Sequence, residues 1–109
     1  MKIEIHTDNP VALKKAILVN IKDETLRTWK VVTDTNDDKL ITHKAGQYKD
    51  DVLLRLTPTK DGDILKVTTT YWESHDKPDE AEIAIYLGMF TSALLTHFSD
   101  DYRKLEVYS

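Results

Sequence analysis

A run of oxygen-bearing residues, Asp34-Thr35-Asn36-Asp37-Asp38, begins like a calcium-binding loop. In such a loop, oxygens at the first, third and fifth positions bind the ion, a glycine at the sixth makes the turn, and a glutamate at the twelfth completes the shell. Here the sixth position is Lys39 and the twelfth is Ala45. The run therefore predicts a solvated hairpin tip and no calcium site.

Histidines are the next residues that could bind a metal, together with carboxylates such as Asp76, Asp100 and Asp101. Zinc sites on one element use paired spacings such as HExxH, in which both imidazoles face the same ion. None of the four histidines has such spacing, so the sequence predicts no metal site. These histidines are His6, His43, His75 and His97.

Catalytic motifs that depend on glycine are also missing. A serine elbow, a phosphate loop or a dinucleotide fingerprint needs glycines at fixed positions, because each contains a strained turn. The three glycines are scattered at Gly46, Gly62 and Gly88. Acidic pairs such as Asp100-Asp101 lie in polar loops, where large pKa shifts are hard to achieve. We therefore predict no catalytic residue and no cofactor.

Length and composition indicate one ordered domain, residues 1–109. The chain is 40% hydrophobic and 31% charged, and a core of this size needs no disulfide to be stable. Nineteen acidic and fifteen basic residues give a formal charge of −4. Nucleic-acid-binding surfaces are usually basic, so we expect no nucleic-acid partner.

The sequence also predicts where the protein resides. It has no cysteine, and its charged start, Met1–His6, does not resemble a signal peptide. The stretch Ile83–Ser99 lacks Asp, Glu, Lys and Arg, but it is shorter than the ~20 residues that cross a bilayer. We expect a cytoplasmic protein with no membrane partner, and a broadly buried helix over this stretch.

Hydrophobic periodicity predicts the order of the elements. Lys2–His6 alternates as a half-buried strand does, and Asn9 and Pro10 suit the cap and first position of a helix that reaches about Asp23. Polar turns then separate four strands, which predicts an antiparallel meander with its longest connection through Gly46. The four strands are Arg27–Thr33, Lys39–Lys44, Val52–Thr59 and Ile64–Trp72.

A second helix, starting near Asp76–Glu80 and ending about Phe98, and a last strand between Tyr102 and Tyr108 complete the chain. The result is an α+β fold of order β-α-β-β-β-β-α-β, with a mainly antiparallel sheet and both helices on one face. The predicted core stripes are Leu13, Ile17 and Ile21 on the first helix, and Ile83, Leu87, Phe90, Leu94 and Phe98 on the second.

Small residues recur at i, i+4 spacing on both helices, which predicts that the helices pack closely side by side. They are Ala12 and Ala16 on the first helix, and Ala84, Gly88 and Ser92 on the second.

The sheet face without helices, here called the open face, is the first candidate binding surface. If Leu65, Val67 and Tyr71 point toward the helices, alternation sends the residues between them to the open face. Trp and Arg are enriched at binding hot spots, whereas threonines also suit a plain solvated sheet. The residues predicted on the open face are Lys66, Thr68, Thr70 and Trp72, with Arg55 and Thr57 from the preceding strand.

A second candidate surface lies on the second helix, where Ile85 and Met89 fall opposite the core stripe, beside Glu82 and Ser92. Two interpretations stay open. The pair is either two isolated exposed apolar residues, which are normal on monomers, or a surface for self-association or for a partner.

Two functional hypotheses follow. The first is a non-catalytic protein-interaction module, such as an inhibitor, immunity-type or regulatory protein, because the chain is compact and charged and lacks a catalytic constellation. Its predicted contacts are Trp72, Arg55, Lys66, Thr68, Thr70, Ile85 and Met89. The alternative is a small-molecule-binding protein or simple enzyme that uses the open face as a pocket, lined by Arg55, Lys66, Tyr71 and Trp72.

Overall fold

The computed structural model describes residues 1–34, 36–44, 51–59 and 62–108. It contains two helices and six strands in the predicted order, which confirms the α+β class. The predicted connection through Gly46 lies outside the described residues. In chain order the elements are β1 Lys2–His6, α1 Pro10–Lys22, β2 Trp29–Thr33, β3 Lys39–His43, β4 Leu53–Pro58, β5 Ile64–Thr70, α2 Glu80–His97 and β6 Lys104–Tyr108.

Both helices begin at a side chain that satisfies a free backbone donor. Asn9 Oδ1 accepts a hydrogen bond from the N–H of Ala12 at 3.1 Å, and Pro10 occupies the first turn. Asp79 Oδ1 accepts from the N–H of Glu82 at 2.8 Å. Because the first N–H groups of a helix have no intrahelical acceptor, these two caps explain where the helices start.

The six strands form one sheet of order β2-β3-β4-β5-β1-β6, in which every neighbouring pair is antiparallel. Strands β2 to β5 form the predicted meander. The first strand of the chain lies between β5 and β6, with Ile3 opposite Val67 on one side and opposite Val107 on the other. Among the described strands, β2 and β6 are therefore the two edges of the sheet.

A single hydrophobic cluster joins both helices to one face of the sheet. Its packing is the main stabilising contribution, at about 1.5–3 kcal/mol for each fully buried large apolar side chain. The predicted α1 stripe is buried as expected. Leu87, Phe90 and Leu94 of α2 belong to the cluster, as predicted. Tyr86 of α2 is also fully buried in it, although the predicted stripe omits this residue. Ile83 is only partly buried. The aromatic ring of Trp29 packs edge-on against Phe90, with centroids 5.4 Å apart.

Two expectations about packing are wrong. Tyr71, expected in the core, is 40% exposed, because β5 ends at Thr70 and strand alternation no longer applies. The small residues of α2 are not buried between the helices: Ala84 and Ser92 are exposed, and a Cβ added to Gly88 would meet nothing within 4 Å. The helices are instead joined through the larger side chains of the common core.

Helix α2 includes most of the uncharged stretch that the sequence raised as a possible membrane span. No helix in the described part of the chain is long and apolar enough to cross a membrane.

Candidate functional site: the open face

The strand register brings most of the predicted contact residues to the open face. Arg55 lies opposite Thr68, and Thr57 lies opposite Lys66. The residues that alternate with them, such as Val67, belong to the core on the helix side. Because successive side chains of a strand point to opposite faces, Arg55, Lys66, Thr68 and also Thr70 lie together on the open face.

A small apolar site lies on the same face. Leu40 and Leu53 are only 1% and 2% exposed, although neither belongs to the main core cluster. Leu40 pairs with Arg55, and Leu53 pairs with Thr70. Two leucines are therefore buried on the side of the sheet that carries no helix.

These leucines line a depression of about 450 Å³, here called the Trp72 depression. Its other walls come from the β2–β3 hairpin and from the segment that follows β5. Trp72 is partly buried there and Tyr71 is exposed. The lining residues are Asp34, Asn36, Leu40, Leu53, Arg55, Thr70, Tyr71, Trp72, Glu73 and Ser74.

Arg55 is held by two acidic side chains of the hairpin. Its Nη1 donates to Asp38 Oδ2 at 2.7 Å, and its Nη2 lies 3.5 Å from Asp34 Oδ2. An exposed ion pair contributes about 0–1 kcal/mol to stability, but this fork fixes the direction of the guanidinium. A ligand that uses Arg55 must therefore compete with both carboxylates.

The hairpin tip is built by Asp34. Its Oδ1 accepts hydrogen bonds from the N–H groups of Asn36 at 2.8 Å and Asp38 at 2.9 Å, and Asp37 adopts a positive φ of 62°. Burial opposes ionisation of Asp34, but the N–H groups of Asp38 and Asn36 and the Arg55 guanidinium outweigh it and lower the pKa of this carboxyl. Its oxygens bind the loop and Arg55, as expected of a hairpin tip.

The edge of the depression carries an excess of negative charge. The carboxylates of Asp34 and Asp38 pair with the single guanidinium of Arg55, and Glu73 adds a third carboxylate to the lining of the depression. The exposed Asp37 lies at the same tip. This end of the open face thus combines apolar surface with acidic groups.

Ile85 and Met89 do not join this site, because they lie on α2 in the helical layer. Ile85 is 38% exposed. Met89, expected to be exposed opposite the core stripe, is partly buried and packs against the core. The buried arc of α2 is wider than one stripe, since the fully buried Tyr86 extends it beyond the predicted residues.

A polar cluster that the sequence did not predict lies at the other end of the open face. One ligand atom from each of Glu4, His6 and Glu106 lies within 4.8 Å of the others, and His6 Nε2 is 2.7 Å from Glu106 Oε1. Such a set could hold a divalent ion. Lys2 Nζ lies 3.6 Å from Glu4 and Lys104 Nζ lies 3.4 Å from Glu106, so lysines already compensate the two carboxylates.

Tyr108 completes this cluster, since its hydroxyl donates to Glu106 Oε2 at 3.0 Å. Hydrogen bonds and the negative charges of Glu106 and Glu4 raise the pKa of Tyr108 to about 12. Hydrogen bonds from Tyr108 and His6 lower the pKa of Glu106. The signal in the sequence is the i, i+2 pair Glu4 and His6 on one strand face, but its partner strand lies about a hundred residues away.

No protein-family model matches this chain, and no curated protein or solved structure is significantly similar to it. The functional argument therefore rests on the geometry of its surfaces.

Proposed function

We propose that this domain is a non-catalytic protein-interaction module that binds its partner at the Trp72 depression. The observation that carries the proposal is the aromatic pair Tyr71 and Trp72 beside two buried leucines on the open face. Binding energy concentrates where an aromatic anchor meets a desolvated pocket, and Trp and Tyr are the residues most enriched there. This depression supplies both.

The charge at the depression indicates the chemistry of the partner. Acidic groups of Asp34, Asp38 and Glu73 favour a protein that presents a basic side chain next to an apolar one. The formal charge of −4 on the whole chain adds long-range attraction to such a basic surface. The proposal includes a cytoplasmic location and a protein partner, not a nucleic acid.

A small-molecule ligand is the second candidate, and one observation favours it: a volume of about 450 Å³ falls within the range of small-molecule pockets, roughly 300–1,000 Å³. Because Arg55 is already paired with Asp34 and Asp38, an anionic ligand would have to displace a carboxylate. The depression therefore suits a cationic small molecule better than an anionic one.

Affinity capture from the native cell lysate tests the protein-interaction proposal. The three baits are the wild type, Val19→Ala and Trp72→Ala. The wild type and Val19→Ala, a change at an exposed position of α1, should retain the same protein. Trp72→Ala should lose it while remaining folded. Added salt should release the captured protein, because exposed charges are screened.

The captured protein is then purified and titrated with each bait by calorimetry. Loss of a hot-spot aromatic should weaken binding by at least about 2 kcal/mol. A folded Trp72→Ala bait that binds the same protein with unchanged affinity contradicts the proposal. Recovery of a metabolite alone, dependent on Trp72, favours the second candidate.

A further inference from the structure

The outer edge of β6 is open. Within the described residues, β6 pairs with β1 only and ends the sheet. The backbone N–H and C=O groups along such an edge can pair with another strand. Val107, on the helix side of this strand, is 60% exposed.

An apolar groove runs beside this edge, between β6 and α2. It has a volume of about 460 Å³, and Met1 and Tyr108 at its rim are 43% and 38% exposed. Gly88 lies in its wall with nothing over the position of a Cβ. The lining residues are Met1, Ala84, Leu87, Gly88, Thr91, Val107 and Tyr108. The groove and the strand edge form one continuous surface, and none of the described residues covers it.

We propose that a second copy of this chain covers this surface, with β6 pairing antiparallel to β6 of the second copy about a two-fold axis at Leu105. In this register Leu105 lies opposite Leu105 of the other copy. Lys104 lies opposite Glu106 of the other copy, and the symmetry repeats that pair. Opposite charges that face each other across two strands stabilise the pairing.

Charge also excludes the neighbouring registers. A two-fold axis at Glu106 would place the two Glu106 carboxylates opposite each other. An axis at Lys104 would place the two Lys104 ammonium groups opposite each other. Like charges directly opposite destabilise a strand pair. The sequence of β6 is thus complementary to itself in the register centred on Leu105, and this complementarity identifies a second copy as the occupant.

The same geometry covers the groove. Residues directly opposite in antiparallel strands share a sheet face, so the helices of both copies lie on one side. The two six-stranded sheets become one sheet of twelve strands, and the two α2 helices flank the axis. The exposed small residues Ala84 and Gly88 leave room for their approach. The Trp72 depression, which involves β3, β4 and β5 but not β6, remains accessible.

Sedimentation velocity between about 1 and 100 µM protein tests the assembly. The wild type should change from monomer to dimer over this range. Lys104→Glu and Glu106→Lys should each weaken the dimer by about tenfold or more, because the two symmetric charge pairs become repulsive. The double variant should restore it, since the reversed charges face each other again. Val107→Lys should abolish it.

Two controls keep this test separate from the proposed function. Val19→Lys, on exposed α1, and Trp72→Ala should both dimerise as the wild type does. A wild type that stays monomeric at the highest concentration overturns the inference. A dimer that resists Val107→Lys and Lys104→Glu overturns it too, because such a dimer uses another surface. Circular dichroism establishes that each variant is folded; if Glu106→Lys alone unfolds, Lys104→Glu and Val107→Lys still decide.

Discussion

Leu53 and Leu54 are neighbours in β4 and are both at most 2% exposed, yet they are buried on opposite faces of the sheet. Leu54 belongs to the core cluster shared with both helices. Leu53 lines the Trp72 depression, where a hairpin tip and a short segment take the place of a helix. The two leucines are therefore equally buried by different structures. The apolar helical layer covers Leu54, whereas a partly polar hairpin tip and a short segment cover Leu53 and leave one side open.

The largest expected difference between the two faces is in the cost of shortening these leucines. Leu54→Ala should lower the free energy of unfolding by about 3–5 kcal/mol, because close-packed surroundings cannot collapse onto the cavity. Leu53→Ala should cost less, about 2–3 kcal/mol, because the hairpin tip and residues 71–74 can move into the space. Urea denaturation of both variants measures the difference. Equal costs would mean that the cover over Leu53 is as rigid as the helical layer.

The aromatic pair at the rim sharpens the comparison further. Trp72→Ala should cost about 1–2 kcal/mol, since the side chain is only partly buried. Tyr71→Ala should remain within about 0.5 kcal/mol, as is usual for exposed positions. Thermal melts of the two variants check both values. A loss of several kcal/mol for Tyr71→Ala would restore the original expectation that this ring packs into the core.

Two asparagines compare the helical layer with the hairpin tip. Asn9→Ala should cost about 1 kcal/mol, because the N–H of Ala12 loses its acceptor at the start of α1. At Asn36 it is the backbone N–H that bonds to Asp34, so Asn36→Ala should change stability by less than about 0.5 kcal/mol. Urea denaturation of both variants distinguishes the sites. A cost at Asn36 equal to that at Asn9 would show that its side chain also supports the tip.

Local patterns predicted the elements well because their causes are local. Asn9 and Pro10 define the start of α1, and the spacing of Leu13, Ile17 and Ile21 defines its buried side. The position of β1 between β5 and β6 has no such local cause. It depends on pairing between distant strands, and it alone creates the cluster of Glu4, His6 and Glu106.

The candidate site was predictable in part for the same reason. Alternation along β5 places Lys66, Thr68 and Thr70 on the open face. It fails at Tyr71, where the strand has ended and the chain turns over the depression. Arg55 was expected on this face, but its two carboxylate partners come from a hairpin tip about twenty residues away. Strand alternation predicts on which face of the sheet a side chain lies, but it does not predict which side chains from other segments bind to it.

The smallest expected effect concerns the polar end of the open face, where Tyr108 donates to Glu106. The pKa of the Tyr108 hydroxyl is about 12, raised from an ordinary value of 10.0 by Glu106 and Glu4. The folded protein therefore keeps a proton that the unfolded chain loses near its ordinary pKa. Any stability contributed by this hydrogen bond is complete below that ordinary pKa and is lost as the pH rises toward 12.

Ultraviolet titration of tyrosine ionisation measures this effect when wild type is compared with Tyr108→Phe. The difference between the two curves should show one phenol that ionises at about pH 12. In Glu106→Gln the same phenol should ionise at lower pH, because the neighbouring carboxylate charge and its strong acceptor are gone. An ordinary pKa for Tyr108 in the folded wild type would show that Glu106 does not hold its hydroxyl. The polar cluster would then be held at Glu106 by His6 and Lys104, without Tyr108.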